Sequence, residues 1–116
     1  MKIMIVEDHI DIRRLLKTIL SVGHKNSLEF IDCESGEEAI EQYATQRPDL
    51  VLMDIELGKM NGFEAATFIL NTDKEANVLF VSSHDSPSIR KKASELPVRG
   101  FISKDDLSQV HQYIIT

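Results

Sequence analysis

Only one cysteine, Cys33, occurs in this chain of 116 residues, so a disulfide framework is excluded and a reducing compartment is expected. Tryptophan is absent and 6% of residues are aromatic, so the core must be built mainly from aliphatic side chains. No apolar run approaches the roughly 20 residues that a membrane-spanning helix needs. The N-terminus passes from a short apolar run straight into acids, which no signal peptide does. Basic residues are in deficit: 13 Lys and Arg against 19 Asp and Glu give a net charge of −6. That balance argues against direct nucleic-acid binding by this chain. A cytoplasmic protein without membrane contact is the expectation.

What is present suffices for one domain over residues 1–116, because 42% of residues are apolar. Short apolar runs alternate with amphipathic stretches. The runs Lys2 to Val6, Leu50 to Met53 and Val78 to Val81 are apolar on both faces, as central parallel strands are. Leu28 to Cys33 alternates like an edge strand, and Gly100 opens a last strand. Between them lie helical patterns. Ile10 to Leu20 carries Leu15, Leu16, Ile19 and Leu20 at helical spacing. Gly23 and Asn26 break the chain after it. Ser35-Gly36 opens a second helix that Pro48 stops, and Phe63 to Leu70 reads as a third. Ser86 is placed as an N-cap with Pro87 as first helical residue, and that helix runs to Leu96. Asp105 or Asp106 is expected to cap a last helix reaching the C-terminus. Five strands alternating with five helices predict a parallel sheet covered on both faces. No repeat, linker or effector domain is visible.

Chemistry collects where the strands end. Glu7-Asp8 follows the first run, Asp54 the third, Ser82 the fourth, and Lys104 the fifth. In a parallel sheet those ends share one edge, where ligands bind. Clustered carboxylates repel and need a cation or protons, and hard oxygen donors select Mg²⁺ or Mn²⁺. Lys104 offers a point charge for a phosphoryl oxygen or a carboxylate. Ser82, or alternatively Ser83, offers a hydroxyl to an anion beside Asp54. The histidines His9, His24, His84 and His111 show no metal-ligand spacing; His9 and His84 fall near the rim.

Together these pieces resemble the receiver domain of two-component response regulators, the CheY-like superfamily. The resemblance rests on Glu7-Asp8-His9, Asp54, Gly62 eight residues on, Ser82, and Phe101-Ile102-Ser103-Lys104. It implies a flavodoxin-like (βα)5 fold, α/β, with strand order 2-1-3-4-5. It implies that Asp54 takes a phosphoryl group from a sensor histidine kinase. Asp8, Asp54 and the backbone carbonyl of Glu56 would ligate Mg²⁺, with Glu7 acting through water. Lys104 and Ser82 would bind the phosphoryl group. Ser82 and Phe101 would act as the switch, and Ser83 and His84 would line the rim. The fourth helix, fifth strand and fifth helix would form the output face. The Glu-Asp-His start and Lys104-Asp105 lean toward receivers fused to helix-turn-helix transcription regulators. Expected partners are therefore the kinase, a fused DNA-binding domain or downstream protein, and a phosphorylation-dependent homodimer. Such a domain is a switch that catalyses only its own phosphoryl transfer and dephosphorylation.

The chain departs from the family at several places. Gly58 replaces a usual proline, Pro97 a frequent glycine, Ser83 a common alanine and Glu7 a more frequent aspartate. Glu56 puts an acid two residues past Asp54, where it would compete for metal or shield the acyl phosphate. Two other readings compete. A haloacid-dehalogenase-type phosphatase also uses an aspartate nucleophile, Mg²⁺ and a lysine, but wants a second aspartate where Glu56 stands. A flavodoxin-like cofactor carrier would need a phosphate-binding loop, and Glu7-Asp8 would repel the phosphate.

Overall fold

The computed structural model describes residues 1–23 and 28–114. Asn26, read as a chain break, and His24 lie outside the described residues, as do the last two residues, which the expected last helix was to reach. The elements are β1 (Lys2–Val6), α1 (Ile10–Ser21), β2 (Glu29–Cys33), α2 (Gly36–Gln46), β3 (Leu50–Asp54), α3 (Gly62–Thr72), β4 (Val78–Ser82), α4 (Pro87–Ser94) and β5 (Gly100–Ser103). All strand pairs are parallel, in the order β2-β1-β3-β4-β5. This is the expected doubly wound architecture.

Alternation along each strand sorts the core into two layers. Met4, Val6, Val51, Met53, Val78 and Phe80 face α2, α3 and α4. Ile3, Ile5, Leu50, Leu52, Leu79 and Val81 face α1 and the C-terminal segment. β1, β3 and β4 are buried on both faces, which is why their sequences are continuously apolar. Each fully buried Leu, Ile or Phe contributes about 1.5–3 kcal/mol of burial free energy.

Local signals fix the helix starts. The Ser35 hydroxyl accepts from the Glu38 amide at 3.1 Å and the Ser86 hydroxyl from the Ile89 amide at 3.2 Å. Asn61 and Glu64 form a reciprocal capping box. Arg47, at φ 46°, ends α2 in the left-handed region just before Pro48. Glycine is required at 62. A Cβ there would collide with the Asp54 carbonyl oxygen and lie 2.7 Å from the Ile55 Cα. The missing side chain lets α3 begin against the end of β3.

The last element departs from expectation. Lys104–Tyr113 is a 3-10 segment rather than an α-helix, and it is kinked at Asp106. Its N-cap is Ser103, whose hydroxyl accepts from the Asp105 amide at 3.2 Å. Asp105 lies within the first turn instead of capping it, whereas Asp106, with extended φ −142° and ψ 68°, stands at the break before the second stretch, and its side chain accepts from the Ser108 hydroxyl and the Gln109 side-chain amide.

Candidate functional site at the carboxyl edge

Strand register brings the site together. Val6 is paired with Met53, so Glu7 arrives beside Asp54; Asp54 is paired with Val81, and Ser82 with Ser103. Glu7, Asp54, Ser82 and Lys104 thus end four neighbouring strands. The first three are almost fully enclosed, at 2%, 3% and 0% exposure.

Lys104 Nζ lies 2.5 Å from Glu7 Oε1 and 3.5 Å from Asp54 Oδ1. The two carboxyls thus flank one ammonium. Burial raises both acids. For Asp54 the neighbouring Glu7 adds to that effect, and its carboxyl is pushed up to about 7 despite Lys104. For Glu7 the hydrogen bonds from Asp54 and Lys104 outweigh burial and bring it down to about 2. Burial works against the Lys104 ammonium, but Glu7 and Asp54 hold its pKa above the ordinary value.

The other sequence-predicted residues surround this centre. The Asp8 carboxylate is half exposed and turned toward His9, whose Nδ1 lies 2.9 Å away. Glu7, Asp8 and His9 each bring a ligating atom within 4.8 Å of the others. The Glu56 amide donates to Asp54 Oδ1 at 3.3 Å, while its side chain points outward to His84, Nδ1 to Oε1 2.6 Å. The Ser82 hydroxyl accepts from the His84 amide at 3.0 Å. Ser83 is exposed and reaches only His84. Phe101 stands away from the carboxyls, on β5, with the Arg90 guanidinium 4.6 Å over its ring. Arg90 is held there by Asp85.

Sequence reasoning missed Arg13. Its guanidinium is 5% exposed and donates to the Glu7 carbonyl at 2.7 Å. The signal was present: Arg13 stands three and seven residues before Leu16 and Leu20, on the buried face of α1.

Chemically, every donor at the inner edge is a hard oxygen. Two buried carboxylates share one ammonium, so the set lacks positive charge. It fits a hard divalent cation and not a soft one. Among the described residues, no helix is long and apolar enough to cross a membrane.

The Response regulator receiver domain family matches the chain over residues 3–115. The chain is 34% identical over 104 residues to the chemotaxis protein CheY of Bacillus subtilis strain 168, covering 89% of this chain and 84% of CheY. It is 32% identical over 104 residues to the transcriptional regulatory protein DegU of Brevibacillus brevis, covering 90% of this chain but 44% of DegU. A solved CheX–CheY–BeF3–Mg²⁺ complex from Borrelia burgdorferi superposes with a TM-score of 0.86 at 28% identity, over 96% of this chain and 84% of that one.

Proposed function

This chain belongs to the response regulator receiver domain family, and on that footing we propose that Asp54 is its phospho-acceptor, charged by a sensor histidine kinase. The observation that carries the reading is the enclosed group Glu7, Asp54 and Lys104 at the carboxyl edge. A carboxylate oxygen of Asp54 bonds to phosphorus as the P–N bond to the kinase histidine breaks. The imidazole keeps the electron pair and takes a proton from water. Asp54 must be ionised to attack; burial and the neighbouring Glu7 raise its pKa, so a bound cation that favours the charged form also favours the attack. Receivers of this family work with a divalent metal, which we take to be Mg²⁺, with Mn²⁺ able to replace it. Asp8, Asp54 and the Glu56 carbonyl would hold it, with Glu7 acting through water. Once bound, the metal supplies positive charge to the carboxylates and to the phosphoryl oxygens.

Lys104 meets the transferred group with a second positive charge. Phosphorylation adds negative charge and strong acceptors, and the Ser82 hydroxyl turns from the His84 amide toward them. The space it leaves admits Phe101, which moves from under Arg90. The face of α4, β5 and the Lys104–Tyr113 segment then carries the signal to a fused DNA-binding domain, a downstream protein or a second copy. DegU-like relatives favour transcription control as the output. The dehalogenase-type reading has less support, because the Glu56 side chain is turned outward to His84.

Incubation with Mg²⁺ and a small acyl phosphate tests the assignment. One phosphoryl group on Asp54 is expected, mapped by mass spectrometry. No adduct on the wild type, or the same adduct in Asp54→Asn, overturns it.

A further inference from the structure

We infer that Arg13 is a positioning residue for the acidic site, acting through the backbone of Glu7. The inference rests on the receiver reading above. α1 lacks the device that starts α2, α3 and α4: its N-cap, His9, makes no side-chain cap hydrogen bond. The turn from β1 into α1 carries Glu7 and Asp8, and it is held differently. The Glu7 amide donates to the Cys33 carbonyl at 3.0 Å, and the Glu7 carbonyl accepts from Arg13 Nη1 at 2.7 Å. The backbone of one residue, Glu7, is thus gripped on the edge strand's side and on the helix's side. Its side chain is then delivered to Lys104 and Asp54.

A guanidinium is a costly way to fill a core position. Desolvating one ion costs several kcal/mol, and an apolar side chain of similar size often serves stability as well or better. Leu16 and Leu20 fill the same face of α1 in the ordinary way. Arg13 is imperfectly satisfied even so. Its Nε makes no hydrogen bond and faces Asp32 Oδ2 at 3.5 Å, while Nη2 lies 3.5 Å from Glu34 Oε1. Asp32 is itself drawn toward Lys17 Nζ at 2.7 Å. These outer acids steady the guanidinium, so the end of β2 is mechanically tied to Glu7. Stability alone does not explain a buried cation with long outer contacts and one short bond to the backbone that carries the acids.

Arg13→Met keeps length and apolar packing but removes the donor; Arg13→Lys keeps the charge and one donor. The probe is Mn²⁺ binding by water-proton relaxation, read well below each variant's melting temperature, with far-UV circular dichroism to establish folding. Loss of a group that orients ligands costs about tenfold or more in metal affinity. Arg13→Met should lose that much, Arg13→Lys should recover part, and melting temperatures should not follow the same order. Folded Arg13→Met with affinity within about twofold of wild type overturns the inference while leaving Asp54 phosphorylation intact. A wild-type chain that binds no Mn²⁺ overturns this inference and the receiver reading together. If neither variant folds, Asp32→Asn combined with Glu34→Gln decides. Removing those exposed partners should weaken Mn²⁺ binding measurably, and unchanged binding overturns the proposal.

Discussion

Glu56 and His84 clasp side chains across the mouth of the site, Oε1 to Nδ1 2.6 Å, while their backbone amides rest on the Asp54 carboxylate and the Ser82 hydroxyl. The same two residues therefore touch Asp54 and Ser82 from within and bridge them from outside. On the proposed function, a clasp so placed would shield an acyl phosphate on Asp54 from water. Both side chains are more than half exposed, so the pair is worth about 0.2–1 kcal/mol. Converted to a barrier, that is at most about fivefold in rate. Glu56→Gln and His84→Gln should each speed dephosphorylation by up to that factor, measured by loss of label from the phosphorylated chain. The double variant should be no faster than either single one, because the second substitution has nothing left to break. Independent, multiplying effects, or an unchanged rate, would rule out the clasp as the cause.

Asp54→Asn should make the metal-free protein more stable. At 3% exposure, Asp54 sits against the buried Glu7 carboxylate, and Lys104 is the ammonium the two share. Burial and Glu7 push the Asp54 carboxyl up to about 7, so ionising it costs more in the fold than in the unfolded chain; an amide never ionises and keeps a hydrogen-bonding group beside Glu7. The gain should stay below the roughly 1–4 kcal/mol that replacing a whole buried ion pair by apolar groups can give, because Lys104 keeps Glu7 as its partner. Thermal unfolding in chelator should therefore show the variant melting higher. Adding Mg²⁺ at ten times its dissociation constant should raise wild-type stability by about 1.4 kcal/mol and the variant's far less. A variant that melts lower than wild type in chelator would mean that Asp54 is a net stabilising partner of Lys104.

Much of this arrangement was legible because strands and helices announce themselves by period. Continuous apolar runs marked β1, β3 and β4, and the residue after each run had to fall on the carboxyl edge. Ser35, Ser86 and Pro87 marked helix starts through hydrogen-bonding chemistry that is local in sequence. Other features depend on contacts that no period encodes. Glu7 and Asp8 are adjacent acids, and only the packed structure shows Glu7 turned inward to Lys104 and Asp8 outward to His9. The clasp of Glu56 and His84 joins two loops 28 residues apart. The Lys104–Tyr113 segment winds as 3-10 turns broken at Asp106, a backbone detail that an apolar pattern does not carry. Arg13 was hidden for the opposite reason. Its position follows the helical period of Leu16 and Leu20, but an arginine is expected at the surface.

Away from the site, stability should fall steeply in alkali. Tyr43 is buried at the amino edge of the sheet, where a cavity of about 540 Å³ is lined by Met1, Leu50, Asp73 and Arg99. Its hydroxyl donates to Asp73 Oδ2 at 2.6 Å, and Arg47 Nη1 lies 3.3 Å from the same oxygen. Burial first, then that bond to Asp73, raises the Tyr43 pKa well above its ordinary 10.0. Burial, with Glu38 and Asp32 nearby, pushes the Cys33 thiol from 9.0 up to about 12. Both are acids whose protons are held more tightly when folded. The stability they contribute is complete below pH 9 and is lost as the unfolded chain ionises at higher pH. Each group removes at most about 1.4 kcal/mol per pH unit over that range. Melting temperature followed by circular dichroism should therefore drop between pH 9 and pH 12 in wild type. Tyr43→Phe should lessen the drop, lower the melting temperature at neutral pH by removing the Asp73 bond, and leave phosphorylation of Asp54 unchanged, since the substitution lies at the opposite edge of the sheet. A melting temperature flat across the alkaline range would show that neither group keeps its proton on folding.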